Sequence, residues 1–262
     1  MKTGLLSLLL LVPALSWGVV GGRTITDGSY RQTVALTFKE SSAQLQGETY
    51  CSGTLIGPRL VLTAAHCISL GAKAFKTPVE EFPQKIWIYI GDSTDPQSHP
   101  WVTPQLKVAR AHVHPQPDIP RGDLALLVLE QDVDLVEYQI QSAPMTLANK
   151  DMIGRELTHV GYGMTVHQGV KGTKASVSLP LRAITGYSGL EIGKIFEPGP
   201  GACHGDSGGS AYLLDKDGQV KFVGVETSIS NHPCGEAATY FIPVSQEMFI
   251  WIRGAVSLPL FE

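Results

Sequence analysis

From residue 30 onward, the apolar residues of this 262-residue chain come in runs of four to eight, each closed by turn residues. Runs of that length read as strands. They fall at Thr33–Phe38, Gly53–Ile56, Arg59–Thr63, Ile86–Ile90, Leu106–Val113 and Leu124–Leu129. A second series follows at Glu156–Val160, Ser176–Arg182, Ser210–Leu214, Val220–Val225 and Thr239–Val244. No helical period interrupts them until the end, where Ser245 can cap Gln246–Ala255 and Met248, Trp251, Ile252 and Ala255 share a face. The pattern predicts an all-β barrel or sandwich with one C-terminal helix. The connection around Glu130–Met145 is the expected seam between two halves of similar size.

The first eighteen residues stand apart. Lys2 is followed by an apolar run from Leu5 to Val12 broken only by Ser7, then Pro13 and the small residues Ser16 and Gly18. That is the build of a secretory signal peptide, and the run is too short to span a bilayer. Residues 19–262 are therefore expected to be exported, outside the cell or into a periplasm, with no membrane association after the leader is removed. A net charge of −4 without any Lys/Arg block gives no reason to expect nucleic acid as a partner. In an oxidising compartment four cysteines suggest two bridges in one of three connectivities. Cys51 with Cys67 and Cys203 with Cys234 closes the shortest loops, each bridge being worth roughly 3 kcal/mol. A zinc site would be the alternative, but no close Cys-x-x-Cys spacing supports it, so neither metal nor cofactor is expected.

The chemistry concentrates in Gly201-Ala202-Cys203-His204-Gly205-Asp206-Ser207-Gly208-Gly209-Ser210. If Ser207 is a nucleophile, each neighbour has a use. Glycines allow a sharp turn that aims amide N–H groups at a developing oxyanion, Cys203 staples the loop and Asp206 anchors it. A serine hydroxyl needs a base, and neutral imidazole held in one tautomer by a carboxylate supplies it. His66, directly after the strand Arg59–Thr63, and Asp123, directly before another, are the candidates. Taken singly, each is more often structural; taken together, in these frames, they favour catalysis. His112-x-His114 lacks further ligands and reads as ordinary surface histidines. In Arg121-Gly122-Asp123, which also spells an adhesion tripeptide, the acid is already claimed.

The order His, Asp, Ser in the frames Ala-Ala-His66-Cys, Asp123-Leu-Ala-Leu and Gly-Asp-Ser207-Gly-Gly resembles the trypsin/chymotrypsin family of serine endopeptidases. Val19-Val20-Gly21-Gly22, Cys51-Ser52-Gly53-Thr54-Leu55-Ile56 and Gly161-Tyr162-Gly163 extend the resemblance over most of residues 19–262. It implies two packed six-stranded antiparallel β-barrels, about 30–130 and 145–244, with the active site between them and a helix at about 245–255. It also implies that Ser207 is the nucleophile, His66 the general base and then acid, and Asp123 its orienter. Gly205 and Ser207 N–H groups would form the oxyanion hole, and Asp206 would pair with the freed amine of Val19. The family's bridges match Cys51–Cys67 and Cys203–Cys234. Because Gly18 precedes Val19, signal removal itself is expected to expose that amine.

The specificity pocket is less readable. Trypsin-like members place an acid six residues before the serine, where this chain has Gly201. Gly201, Ala202 and Ala238, with Ser230 nearby, suggest a pocket for a small to medium uncharged side chain. Glu226 complicates this, because Gly224–Ser230 is one residue longer than the family pattern. In one register Glu226 faces the pocket and could select Arg or Lys; in the other it is a buried, costly carboxylate. Thr227 or Ser228 would support Asp123, and the role of His204 is open. The expected partners are protein or peptide substrates and protein inhibitors, acting on a monomer. A non-catalytic binding protein on the same fold is the rival. An α/β-hydrolase esterase would need Gly-x-Ser-x-Gly and the order Ser, Asp, His.

Overall fold

The computed structural model describes residues 19–95, 105–117, 122–141, 143–165, 169–185, 189–192, 199–229 and 233–256. The expected leader 1–18 and Ser230 lie outside them. The strands are β1 (Arg23–Thr24), β2 (Thr33–Phe38), β3 (Glu48–Gly57), β4 (Leu60–Thr63), β5 (Ile86–Tyr89), β6 (Leu106–Val113) and β7 (Ala125–Leu129). They continue as β8 (Glu156–Gly161), β9 (Ala175–Thr185), β10 (Gly189–Ile192), β11 (Ser210–Leu214), β12 (Val220–Ile229) and β13 (Thr239–Pro243). All strand–strand pairings are antiparallel.

The first barrel closes in the order β2-β3-β4-β7-β6-β5. The second closes as β8-β9-β10-β13-β12-β11, with β1 added at the outer side of β9. Closure leaves neither ring with a free edge. The expected architecture of two six-stranded barrels and a C-terminal helix is the one observed. β1 crosses over, since it precedes the first barrel in sequence yet pairs with the second, Arg23 opposite Ser176.

The three largest apolar clusters account for most of the packing. One fills the first barrel around Val34, Leu36, Leu55, Val61, Ile86 and Leu127. One fills the second around Leu157, Leu181, Leu190, Leu213, Val223 and Phe241. The third joins them: Leu60, Leu62, Leu126 and Val128 meet Val160, Tyr212, Phe222 and Ile242 under the helix residues Met248 and Ile252. Each such side chain stabilises by about 1.5–3 kcal/mol when fully buried. A polar seam fixes the register between barrels. Thr33 Oγ1 bonds both Ser210 Oγ and the Tyr212 hydroxyl at 2.8 Å, and Thr54 Oγ1 bonds Ser210 Oγ at 2.6 Å.

The C-terminal helix α2 (Gln246–Ala255) begins as predicted, with Ser245 Oγ accepting the Met248 N–H at 3.2 Å. One expectation fails. A second helix, α1 (His66–Ala74), follows β4, where no helical pattern was read. Its buried stripe, Cys67, Ile68, Gly71 and Ala72, is short and includes a glycine. Gly71 is needed there because a Cβ would strike the Phe82 ring, so packing overrides a weak local propensity.

Candidate active site

β4 and β7 pair with Thr63 opposite Ala125, which brings the residues just beyond them, His66 and Asp123, face to face. Asp123 grips the histidine twice. Its Oδ1 accepts the His66 backbone N–H at 2.8 Å, and its Oδ2 lies 2.7 Å from Nδ1. The Thr227 hydroxyl also donates to Oδ2. A carboxylate bonded at Nδ1 places the ring proton there and leaves Nε2 as the acceptor. Thr227 reaches Asp123 because the β12–β13 register shifts between Glu226 and Ser228. The extra residue noticed in the sequence is thus a bulge that re-aims one hydroxyl.

Ser207 sits on a turn from the second barrel that leans on the first. Its carbonyl accepts the Ser52 N–H at 2.8 Å, and Ser52 Oγ donates to the Gly205 carbonyl at 2.9 Å. Gly208 has φ +82°, and a Cβ there would collide with Thr63 and the Ser52 backbone. Only glycine fits a position that is both left-handed and this crowded. Ser207, His66 and Gly205 line one cavity of about 490 Å³, together with His204, Lys171, Tyr50 and the Cys51–Cys67 pair. Both bridges have the shortest-loop pairing, Cys51–Cys67 and Cys203–Cys234. The sulfurs nearest His66 are therefore tied to each other and not offered to a metal.

Asp206 is fully buried, with Oδ1 accepting the Gly163 N–H at 2.8 Å and Oδ2 the Cys203 N–H at 2.9 Å. Val19 is also fully buried, against Ala175 and Val177. In this chain its nitrogen is a peptide amide, and the structure brings it into no ion pair with Asp206 among the described residues. The following residue docks onto Gly201, whose N–H donates to the Val20 carbonyl at 3.0 Å.

Gly201, Ala202 and Ala238 are gathered by Thr239, whose Oγ1 accepts the Ala202 N–H at 3.1 Å. A Cβ at Gly201 would meet the Ala237 carbonyl and Thr239 Oγ1 at 3.6 Å, an ordinary packing distance, so a methyl fits here without strain. Glu226 stands directly behind the Ser207 turn. Its carbonyl accepts from Gly208 and its N–H donates to Gly209, both at 2.8 Å. The side chain is 2% exposed, lies in register with Phe241, and leaves Oε2 without a partner. Burial pushes this carboxyl well above the usual range, and the charges of Asp206 and Asp123 push it the same way; a hydrogen bond with Ser207 opposes them.

His112 Nε2 accepts from Arg110 and His114 Nδ1 from the Gln116 N–H, so both histidines have local partners. Two buried groups were missed in the sequence reading. Lys174 is completely buried, its Nζ donating to the Tyr30 carbonyl at 3.1 Å and lying 5.5 Å from the Tyr162 ring centre. His159 is likewise fully buried, on β8. Strand alternation with Leu157 is the signal that could have turned it inward.

A family model described as Trypsin matches residues 19–252. The chain is 28% identical over 245 residues to serine protease SP24D of Anopheles gambiae, covering 90% of this chain and 80% of that one. It is 27% identical over 265 residues to chymotrypsin-like elastase family member 1 of Bos taurus, covering 94% and 92%. Against the proclotting enzyme of Tachypleus tridentatus it is 25% identical over 224 residues, covering 79% of this chain and 58% of the relative's length.

Proposed function

Since the chain belongs to the trypsin family of serine proteases, we propose that it cleaves polypeptides internally through Ser207, His66 and Asp123. The observation that carries this is the two-point hold of Asp123 on His66 beside a cavity that Ser207 shares. In the reaction the Ser207 hydroxyl gives its proton to His66 Nε2 and attacks the scissile carbonyl. The oxyanion is met by the N–H groups of Gly205 and Ser207. His66 returns the proton to the leaving amine, and water releases the acyl group by the same steps. Asp123 holds the imidazole through both halves.

The pocket reading favours a small to medium uncharged residue before the scissile bond. Gly201, Ala202 and Ala238 are small, buried and uncharged. Burial, with Asp206 and Asp123 beside it, disfavours charge on Glu226 and so makes it a poor partner for an incoming Arg or Lys. Export with removal of residues 1–18, and pairing of the freed Val19 amine with Asp206, complete the proposal. The disulfides fit an oxidising compartment.

Cleavage of a mixed peptide library tests the reading. Internal cuts after small or medium uncharged residues, abolished by Ser207→Ala, are expected. Cuts after Arg or Lys would overturn the pocket assignment. No cleavage by correctly processed protein would favour a non-catalytic binder on this fold.

A further inference from the structure

Beneath the Ser207 turn lies a side chain that the reaction above does not use. The His159 ring has no exposed surface, and neither of its nitrogens has a hydrogen-bond partner. Its Nε2 is 3.7 Å from Oδ1 of Asp206, which is equally buried. Phe241 closes one side of the imidazole, ring centres 5.3 Å apart, and Gly209 packs against its edge.

Two buried polar groups are each incompletely paired here, and they face each other. An unpaired imidazole N–H and a carboxylate served only by neutral amides both cost free energy, and one bond between them relieves both. No other group supplies a side-chain donor to Asp206 among the described residues. Its remaining contacts are the backbone N–H groups of Gly163 and Cys203. Glu226, the other titratable group on this side, is an acid. Val19 offers only an amide while it is joined to Gly18. β8 carries both halves of the hold: His159 stands on it, and the turn that follows presents the Gly163 N–H.

We propose that His159 is a built-in partner of Asp206, its Nε2–H closing the 3.7 Å gap to Oδ1 and so positioning the 203–207 loop before any α-amine is freed. The inference rests on the reading of Ser207 as nucleophile and Asp206 as loop anchor. His159 touches neither substrate nor reacting atoms, so it is a positioning residue. Its consequence is that the chain extended beyond Val19 is already competent. Freeing the amine adds a second donor to the same carboxylate and makes His159 dispensable.

The test compares each protein in two forms, one starting at Val19 and one retaining Trp17 and Gly18. The readouts are kcat and KM on a small ester and the rate of fluorophosphonate labelling. Wild type in the extended form is expected within about tenfold of the processed form, since one buried hydrogen bond to a charge replaces another. His159→Leu should lower kcat of the extended form by about 100-fold with KM little changed, and leave the processed form within about threefold. The processed form thus doubles as the folding control. His159→Gln, which keeps an N–H donor, should restore most of the extended form's activity. Equal losses in both forms, no loss in the extended variant, or an extended wild type that is inactive while the processed one works would each overturn the proposal. Inactivity of both wild-type forms would instead remove the serine-protease reading on which it rests.

Discussion

The two barrels share a topology and differ in what they bury. Among the described residues, the first barrel buries one charged side chain, Lys39 just past the end of β2. This barrel acts as a scaffold, and its contribution to the site comes from the ends of β4 and β7, where His66 and Asp123 are held in register. The second barrel, by contrast, buries His159, Asp206 and Glu226 at 0–2% exposure around the turn that bears Ser207. An aliphatic core tolerates local error by repacking, whereas buried polar groups tie one loop to one geometry and are costly when a partner is lost. Both barrels have a buried apolar core, and the shape of the Ser207 turn rests on the polar groups that the second one buries.

The strongest way to break that division is to remove the chemistry alone. Ser207→Ala or His66→Ala should lower peptide hydrolysis by on the order of a million-fold while leaving the melting temperature nearly unchanged, because neither side chain supports a core. A large drop in melting temperature would mean the site is also structural. Next comes the turn. Gly208→Ala places a Cβ against Thr63 and Ser52 at φ +82° and should cost several kcal/mol in urea unfolding. The same change at Gly218, φ +78° with nothing within 4 Å, should cost only about 1 kcal/mol. Equal costs would show that crowding between the barrels is not what selects glycine.

Lys174 gives a smaller, pH-dependent effect. Burial lowers its pKa to about 7 from 10.5, with Asp92 opposing the shift. The folded state therefore releases a proton that the unfolded chain keeps between those values, and its stability rises with pH across that window. Lys174→Met should stabilise most below pH 7, and its advantage should shrink from pH 7 to 10.5; melting curves over that range would show it. An advantage independent of pH would mean that Lys174 holds its proton as tightly in the folded state as in the unfolded chain. Smallest is Thr227→Val. Asp123 keeps both contacts with His66, so kcat should fall only a few-fold, about 1 kcal/mol. A loss near that of His66→Ala would make Thr227 far more than a support.

The contrast between the barrels also explains what could be read in advance. β2, β6 and β11 have the bounds their apolar runs predict, and α2 starts at its serine cap. The frames around His66, Asp123 and Ser207 mark residues that meet only through β4–β7 pairing and the Ser52 bridge, contacts distant in sequence. α1 was not legible, because its apolar stripe covers barely two turns and includes Gly71. β10 was not either, being four residues long and starting at a glycine of φ +78°. The direction of Glu226 was left open for a physical reason: one bulge reverses every side chain beyond it, so a one-residue excess reveals that a bulge exists without locating it. His159 hid in an ordinary strand pattern, since nothing in its neighbours names Asp206, 47 positions on.

The central claim is that Ser207 is a nucleophile activated by His66. Mass-spectrometric mapping of a fluorophosphonate adduct on the folded, processed chain tests it most directly. The account predicts a single adduct, on Ser207, that is lost in His66→Ala. An adduct on another residue, or none on the folded chain, would contradict it.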